Sequence, residues 1–139
     1  MKKNVHPAHA PCPCESDLPY AQCCGLFHAT VRNGDPRGVL APTPEALMRS
    51  RYSAYALGLI DYLQATWHAS TSPGELELPP TKWLGLEVRH AAATQDAGVV
   101  EFVARYRADG RAHRLHETSR FVREAGVWYY IDGQFQPPE

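Results

Sequence analysis

From residue 44 onward the apolar side chains of PEALMRSRYSAYALG recur at helical spacing. Met48, Tyr52, Tyr55 and Leu59 fall on one face. Thr43 is a good N-cap, Pro44 suits the first helical position and Glu45 complements the helix dipole. The pattern predicts a helix that Gly58 ends or bends. IDYLQATWH predicts a second, short helix with Leu63 and Trp67 one turn apart, and STSPGE breaks the run. The period then drops to two. Strands are predicted at about 82–91, 98–108 and 111–123, and in VWYYID. In the second, Val100, Phe102, Ala104 and Tyr106 share one face, and Glu101, Arg105 and Arg107 the other. Asp109-Gly110 between two alternating runs is a strong hairpin signal, and Glu124-Ala125-Gly126 marks the next turn. Helices followed by a run of antiparallel strands make an α+β arrangement: two or three helices packed on a curved antiparallel sheet of about four strands.

Residues 26–43 break this periodicity. VRNGDPRGVLAPTP is rich in glycine, proline and an Asn-Gly step, and predicts a loop-like joint. Ahead of it stands CPCESDLPYAQCCG, which holds all four cysteines, Cys12, Cys14, Cys23 and Cys24, in the spacing C-x-C-x8-C-C. Two close pairs separated by a short loop can wrap one ion with four thiolates, the demand of a structural zinc. Ser16, Asp17 and Pro19 can bend the loop back, and Gly25 can take backbone angles closed to other residues. Both gaps are tighter than the usual CxxC pair, so some strain is expected. Three alternatives stand beside zinc: disulfides paired across the loop, a redox thiol, and His28 replacing one thiolate. His6 and His9 are expected to be exposed tail residues.

Composition narrows the class. The 139 residues are 44% hydrophobic and 21% charged, with a formal net charge of −1, an ordinary balance for a soluble globular protein. The near-neutral charge argues against a surface built wholly to hold nucleic acid. No run approaches the length of a membrane span, and MKKNVHPAHAP lacks the apolar stretch of a signal peptide. These readings predict a cytoplasmic protein. Thiols stay reduced there, which favours a metal site over disulfides.

The cysteine segment resembles the SEC-C zinc motif, found at the C-terminus of the SecA translocation ATPase and in many bacterial proteins. The resemblance implies Cys12, Cys14, Cys23 and Cys24 as ligands and zinc as the metal. Glu15 stands where that motif usually has glycine, and the loop carries Glu15 and Asp17 but no basic residue. TPEALMRSRYSAYALG, DYLQATWH, WLGLEV, FVARY, ETSRFVRE and WYYIDG resemble the bacterial YchJ family: a SEC-C motif followed by a cone-shaped, nuclear-transport-factor-2-like domain. The implied division is a zinc knuckle at 10–28, a linker at 29–42 and the cone-shaped domain at 43–135. The resemblance implies architecture and a metal, with no reaction attached. By analogy with SEC-C, it also implies a protein partner in secretion or translation machinery.

Within the second domain, Arg51, Glu101, Arg105, Glu117 and Arg120 are the candidate pocket or surface residues. Glu101, Arg105 and Glu117 are expected to point away from the apolar face, where Glu101 and Glu117 would pair with Arg105, Arg107 or Arg120. No spacing isolates an acid/base pair, so no catalytic residue is assigned. The many arginines, with Tyr52, Tyr55, Phe121 and Trp128, suggest a basic and aromatic surface for RNA or an acidic partner, a reading the net charge weakens. Dimerisation through the sheet is a further expectation. The expected function is therefore a zinc-binding adaptor, with a cavity-based small-molecule binder or enzyme as the alternative. A cavity in which Glu101 or Glu117 converges on an arginine or histidine favours the second.

Overall fold

The computed structural model describes residues 7–32 and 40–135, without the side chains of 30–32. His6, the Asn33-Gly34 step and the chain after Phe135 lie outside the described residues. Helix α1 spans Cys24–Arg32, α2 Pro44–Leu57 and α3 Ile60–Ala65. Strands β1 (Lys82–Thr94), β2 (Ala97–Ala108), β3 (Arg111–Glu124) and β4 (Val127–Phe135) follow. They form one antiparallel sheet in chain order, joined by hairpins. Asp109-Gly110 and Ala125-Gly126 both take positive φ at the two central positions, the twist a two-residue hairpin requires.

Helix α2 begins as its sequence predicts: the Thr43 Oγ1 accepts the Ala46 N–H at 3.0 Å. It ends at Gly58, whose φ of 73° is the left-handed C-terminal stop. Helix α3 is shorter than its pattern. It stops at Ala65, and Trp67 instead forms a parallel bridge to Tyr130 of β4. Two backbone bonds fix this junction, His68 N–H to Tyr130 O and Tyr130 N–H to Thr66 O, both 2.8 Å.

The segment read as a loop-like joint from residue 26 begins as helix α1, which runs to Arg32. Cys24, Phe27 and His28 recur at i, i+3 and i+4, and tertiary packing of that face stabilises the helix. Irregular register at Trp83/Gly85, Val88/His90 and Arg120/Phe121 bends the sheet. Its concave face carries Phe102, Ala104 and Phe121 toward α2. The cysteines are not an appendage. Cys12, Cys14 and Cys24 belong to the same buried cluster as Leu47, Tyr52, Phe102 and Trp128. No helix among the described residues is long and apolar enough to cross a membrane.

Candidate metal centre and cavity

The turn between the cysteine pairs is held by its own backbone. Cys12 N–H donates to Leu18 O at 3.0 Å and Glu15 N–H to Cys12 O at 3.1 Å. Glu15 and Asp17 adopt φ of 63° and 71°, left-handed angles that cost a non-glycine residue about 1 kcal/mol each. The expected strain thus sits in the loop, and glycine at position 15 would relieve it. Gly25 works differently from expectation. It lies within α1, and a side chain there would put Cβ 2.7 Å from the Tyr20 carbonyl oxygen. Close approach, not an unusual angle, requires glycine there.

This path brings the four Sγ atoms within 4.8 Å of one another. Four thiolates around one tetrahedral ion at roughly 2.3 Å keep their sulfurs about 3.8 Å apart. The Cys14 and Cys23 sulfurs stand at 3.6 Å, so the donor set fits such an ion with little movement. All four thiols are free. Hydrogen bonds from Cys14 and then Cys24 hold the Cys12 thiol far below the ordinary range. The hydrogen bond with Cys12 drives Cys24 the other way, and burial pushes Cys23 up to about 11. Four thiolates cannot coexist here without a cation to neutralise them. Three groups support the sulfurs. The Ser53 hydroxyl stands 3.3 Å from Cys24 Sγ and 3.6 Å from Cys12 Sγ. Ser16 Oγ is 3.1 Å from Cys23 Sγ, and Arg49 Nη1 donates to the Cys14 carbonyl at 3.0 Å.

His28 is placed away from the cluster's donor set. It is fully buried, and both ring nitrogens are engaged. Nε2 faces the Ser50 carbonyl at 2.9 Å, and Nδ1 faces the Tyr20 hydroxyl at 2.6 Å. A carbonyl can only accept, so Nε2 carries the proton and Nδ1 accepts from Tyr20.

On the other side of α2 lies a cavity of about 330 Å³. Eight of its fourteen lining residues are aromatic, so its walls are mostly apolar, and its charged groups are Arg51 and Glu117. Glu117 corrects the expectation that it faces away from the apolar side. It alternates with Leu115, Ser119 and Phe121 on the concave face and is 7% exposed. The Ser119 hydroxyl donates to its Oε2 at 2.6 Å. A side chain at Gly133 would put Cβ 1.9 Å from that same oxygen, so the glycine makes the carboxyl's room. Burial pushes the Glu117 pKa up, against the pull of Ser119, Arg51 and Tyr130. Arg51 is 5% exposed. Its Nη1 donates to Leu63 O at 2.9 Å and Thr66 Oγ1 at 2.7 Å. Its guanidinium lies over the rings of Tyr130 (4.4 Å) and Trp67 (5.0 Å). The buried Trp67 Nε1 has no hydrogen-bond partner among the described residues.

The remaining candidates face outward. Glu101 meets His116 at 2.8 Å, and Arg120 forks onto Asp132 at 2.7 and 2.6 Å. Arg105 is exposed beside Gly85. None of the expected pairs of Glu101 or Glu117 with Arg105, Arg107 or Arg120 forms among these contacts. Of the arginines, Arg51 is buried and Arg120 pairs with Asp132, while Arg49, Arg105 and Arg114 line one groove beside Glu15 and Glu87.

The two parts of the chain match two family models. Residues 43–133 match the model "YchJ, middle NTF2-like domain", and residues 10–26 match the SEC-C motif. The chain belongs to the YchJ family. Among curated YchJ-type relatives, a UPF0225 protein of Methylibium petroleiphilum is 53% identical over 134 residues, covering 94% of this chain and 93% of its own. A UPF0225 protein of Chromobacterium violaceum is also 53% identical, covering 94% and 97%. The fold is also similar to two solved structures. A SEC-C motif containing protein from Rhodopseudomonas palustris matches with a TM-score of 0.78 at 33% identity, covering 92% of this chain and all of its own. One from Psychrobacter arcticus matches with a TM-score of 0.76 at 27% identity, covering 95% and 86%.

Proposed function

We propose that this YchJ-family chain is a small-molecule-binding protein whose four cysteines hold a structural zinc. The observation that carries the binding reading is the cavity, where Arg51 and Glu117 converge within aromatic walls. Concave, mostly apolar space with a few fixed polar groups is the usual form of a ligand site. Zinc is supported by the donor set: four thiolates fill a tetrahedral shell and leave no position for water or substrate. The ion therefore stabilises the segment 10–28 and takes no part in chemistry. Free thiols of this kind suit a reducing compartment, which supports a cytoplasmic location.

Two measurements test the reading. Protein purified without added metal should carry about one zinc per chain by elemental analysis, with thiols reacting only after chelation. A neutral solvatochromic dye such as prodan should bind in the cavity and be excluded by Ala104→Phe, which fills it. A dye that binds both forms equally would remove the cavity from consideration. An adaptor role for the knuckle is the second reading, supported by Leu18 and Leu26, which stand 47% and 42% exposed on the cysteine segment. Its test is whether Leu18→Ser with Leu26→Ser changes the protein's associations while leaving zinc content and dye binding intact.

A further inference from the structure

The cavity's two charged groups are unequally provided for. Glu117 has the Ser119 hydroxyl at 2.6 Å and the Tyr130 hydroxyl as donors. Arg51 has only neutral acceptors, the Leu63 carbonyl and the Thr66 hydroxyl on Nη1 and the Tyr55 hydroxyl. Among the described residues no carboxylate forms an ion pair with it, and Glu117 acts on it through space, not by contact. A buried guanidinium without a counter-ion is a costly arrangement unless something completes it. The same geometry disfavours a cationic ligand. Arg51 repels a second cation and already lies over the rings of Trp67 and Tyr130.

On this evidence, and resting on the reading of the cavity as a ligand site, we propose that it takes a small monocarboxylic acid with an apolar or aryl body. The carboxylate would meet the Arg51 fork and share it with the Tyr55 hydroxyl. Two parallel N–H···O bonds match that shape. The body would lie against Trp83, Phe102 and Phe121. A phosphate dianion fits less well. The cavity offers one cation, and Glu117 shares the space.

The test is calorimetric titration of the zinc-loaded full chain with 4-phenylbutyrate, its amide and 4-phenylbutylamine. Shape is constant across the three, so charge alone separates them. The acid should bind at least tenfold more tightly than the amide, and the amine should bind weakest. Arg51→Lys keeps the charge and most of the stem but loses the fork. It should weaken the acid about tenfold and leave the amide unchanged. If Arg51→Lys does not fold, the order of the three probes on the unaltered protein decides the matter. An amide or amine that binds as well as the acid would overturn the carboxylate assignment while leaving the cavity a ligand site. The same holds if prodan binds but the acid does not. Failure of all three probes together with prodan would overturn the cavity reading itself.

Discussion

Two buried side chains decide what each half of the site does. His28 forms hydrogen bonds through both nitrogens, so it serves the packing of α1 on α2 and not the metal. His28→Phe should leave zinc stoichiometry unchanged. It removes one hydrogen bond each from the Tyr20 hydroxyl and the Ser50 carbonyl, and should cost about 1–3 kcal/mol in urea unfolding. A drop in bound zinc at unchanged fold would instead make His28 a ligand. Glu117 makes the opposite kind of statement. Burial raises its pKa above the ordinary 4.5, so the folded state keeps a proton that the unfolded chain loses sooner. That contribution is fully present at pH below the unfolded value and is lost as pH rises through the folded one. Glu117→Gln removes the loss. The variant should be at least as stable as the parent at neutral pH, with the difference shrinking on mild acidification, read from paired urea melts with excess zinc. A parent that gains on the variant as pH rises would mean that the carboxylate is stabilised in the fold.

At the level of elements, α2 joins the two halves. Ser50 and Ser53 face the cysteine side, while Met48, Arg51 and Tyr55 face the cavity. Ser53→Ala should weaken zinc by about tenfold or more, because the hydroxyl orients two of the sulfurs. Competition with a chromophoric chelator measures this, and an unchanged affinity would reduce Ser53 to ordinary packing. Sequence reading reached α2 and the four strands because capping residues, Asp109-Gly110 and period-two alternation are local signals. It reached the four cysteines through their spacing. It missed α1, which starts on a cysteine pair with no acidic residue in its first turn and is held by packing on Tyr20, Tyr62 and Ser50. Only the recurrence of Cys24, Phe27 and His28 hinted at it. Glu117 was misplaced for another reason. The alternation Leu115, Glu117, Ser119, Phe121 already puts it on the inner face, but a charged side chain was expected to seek water. Arg51, a candidate for pocket or surface, lines the cavity. No local pattern marks the cavity, because α2, the segment after α3 and all four strands build it from distant parts of the chain.

For the whole molecule, the shared buried cluster predicts one cooperative unit where the sequence suggests two. If the cysteine segment were a separate knuckle, removing the ion would loosen residues 10–28 and leave the sheet intact. Yet Cys12, Cys14 and Cys24 pack in one buried cluster with Leu47 of α2, Phe102 of β2 and Trp128 of β4. Without the ion, this part of the core would have to accommodate thiolates with no cation, or take up protons to form thiols. Chelation, or Cys12→Ser, should therefore lower the melting temperature of the entire chain by about 10 °C, as expected for a loss near 3 kcal/mol in a domain of this size. The transition should stay single, with backbone ellipticity and tryptophan fluorescence falling together. Ligand affinity in the cavity should fall with zinc occupancy, since α2 positions both. A sheet that melts at its original temperature after the metal is gone, with cavity binding intact, would restore the two-part description and reduce the zinc to a local clasp.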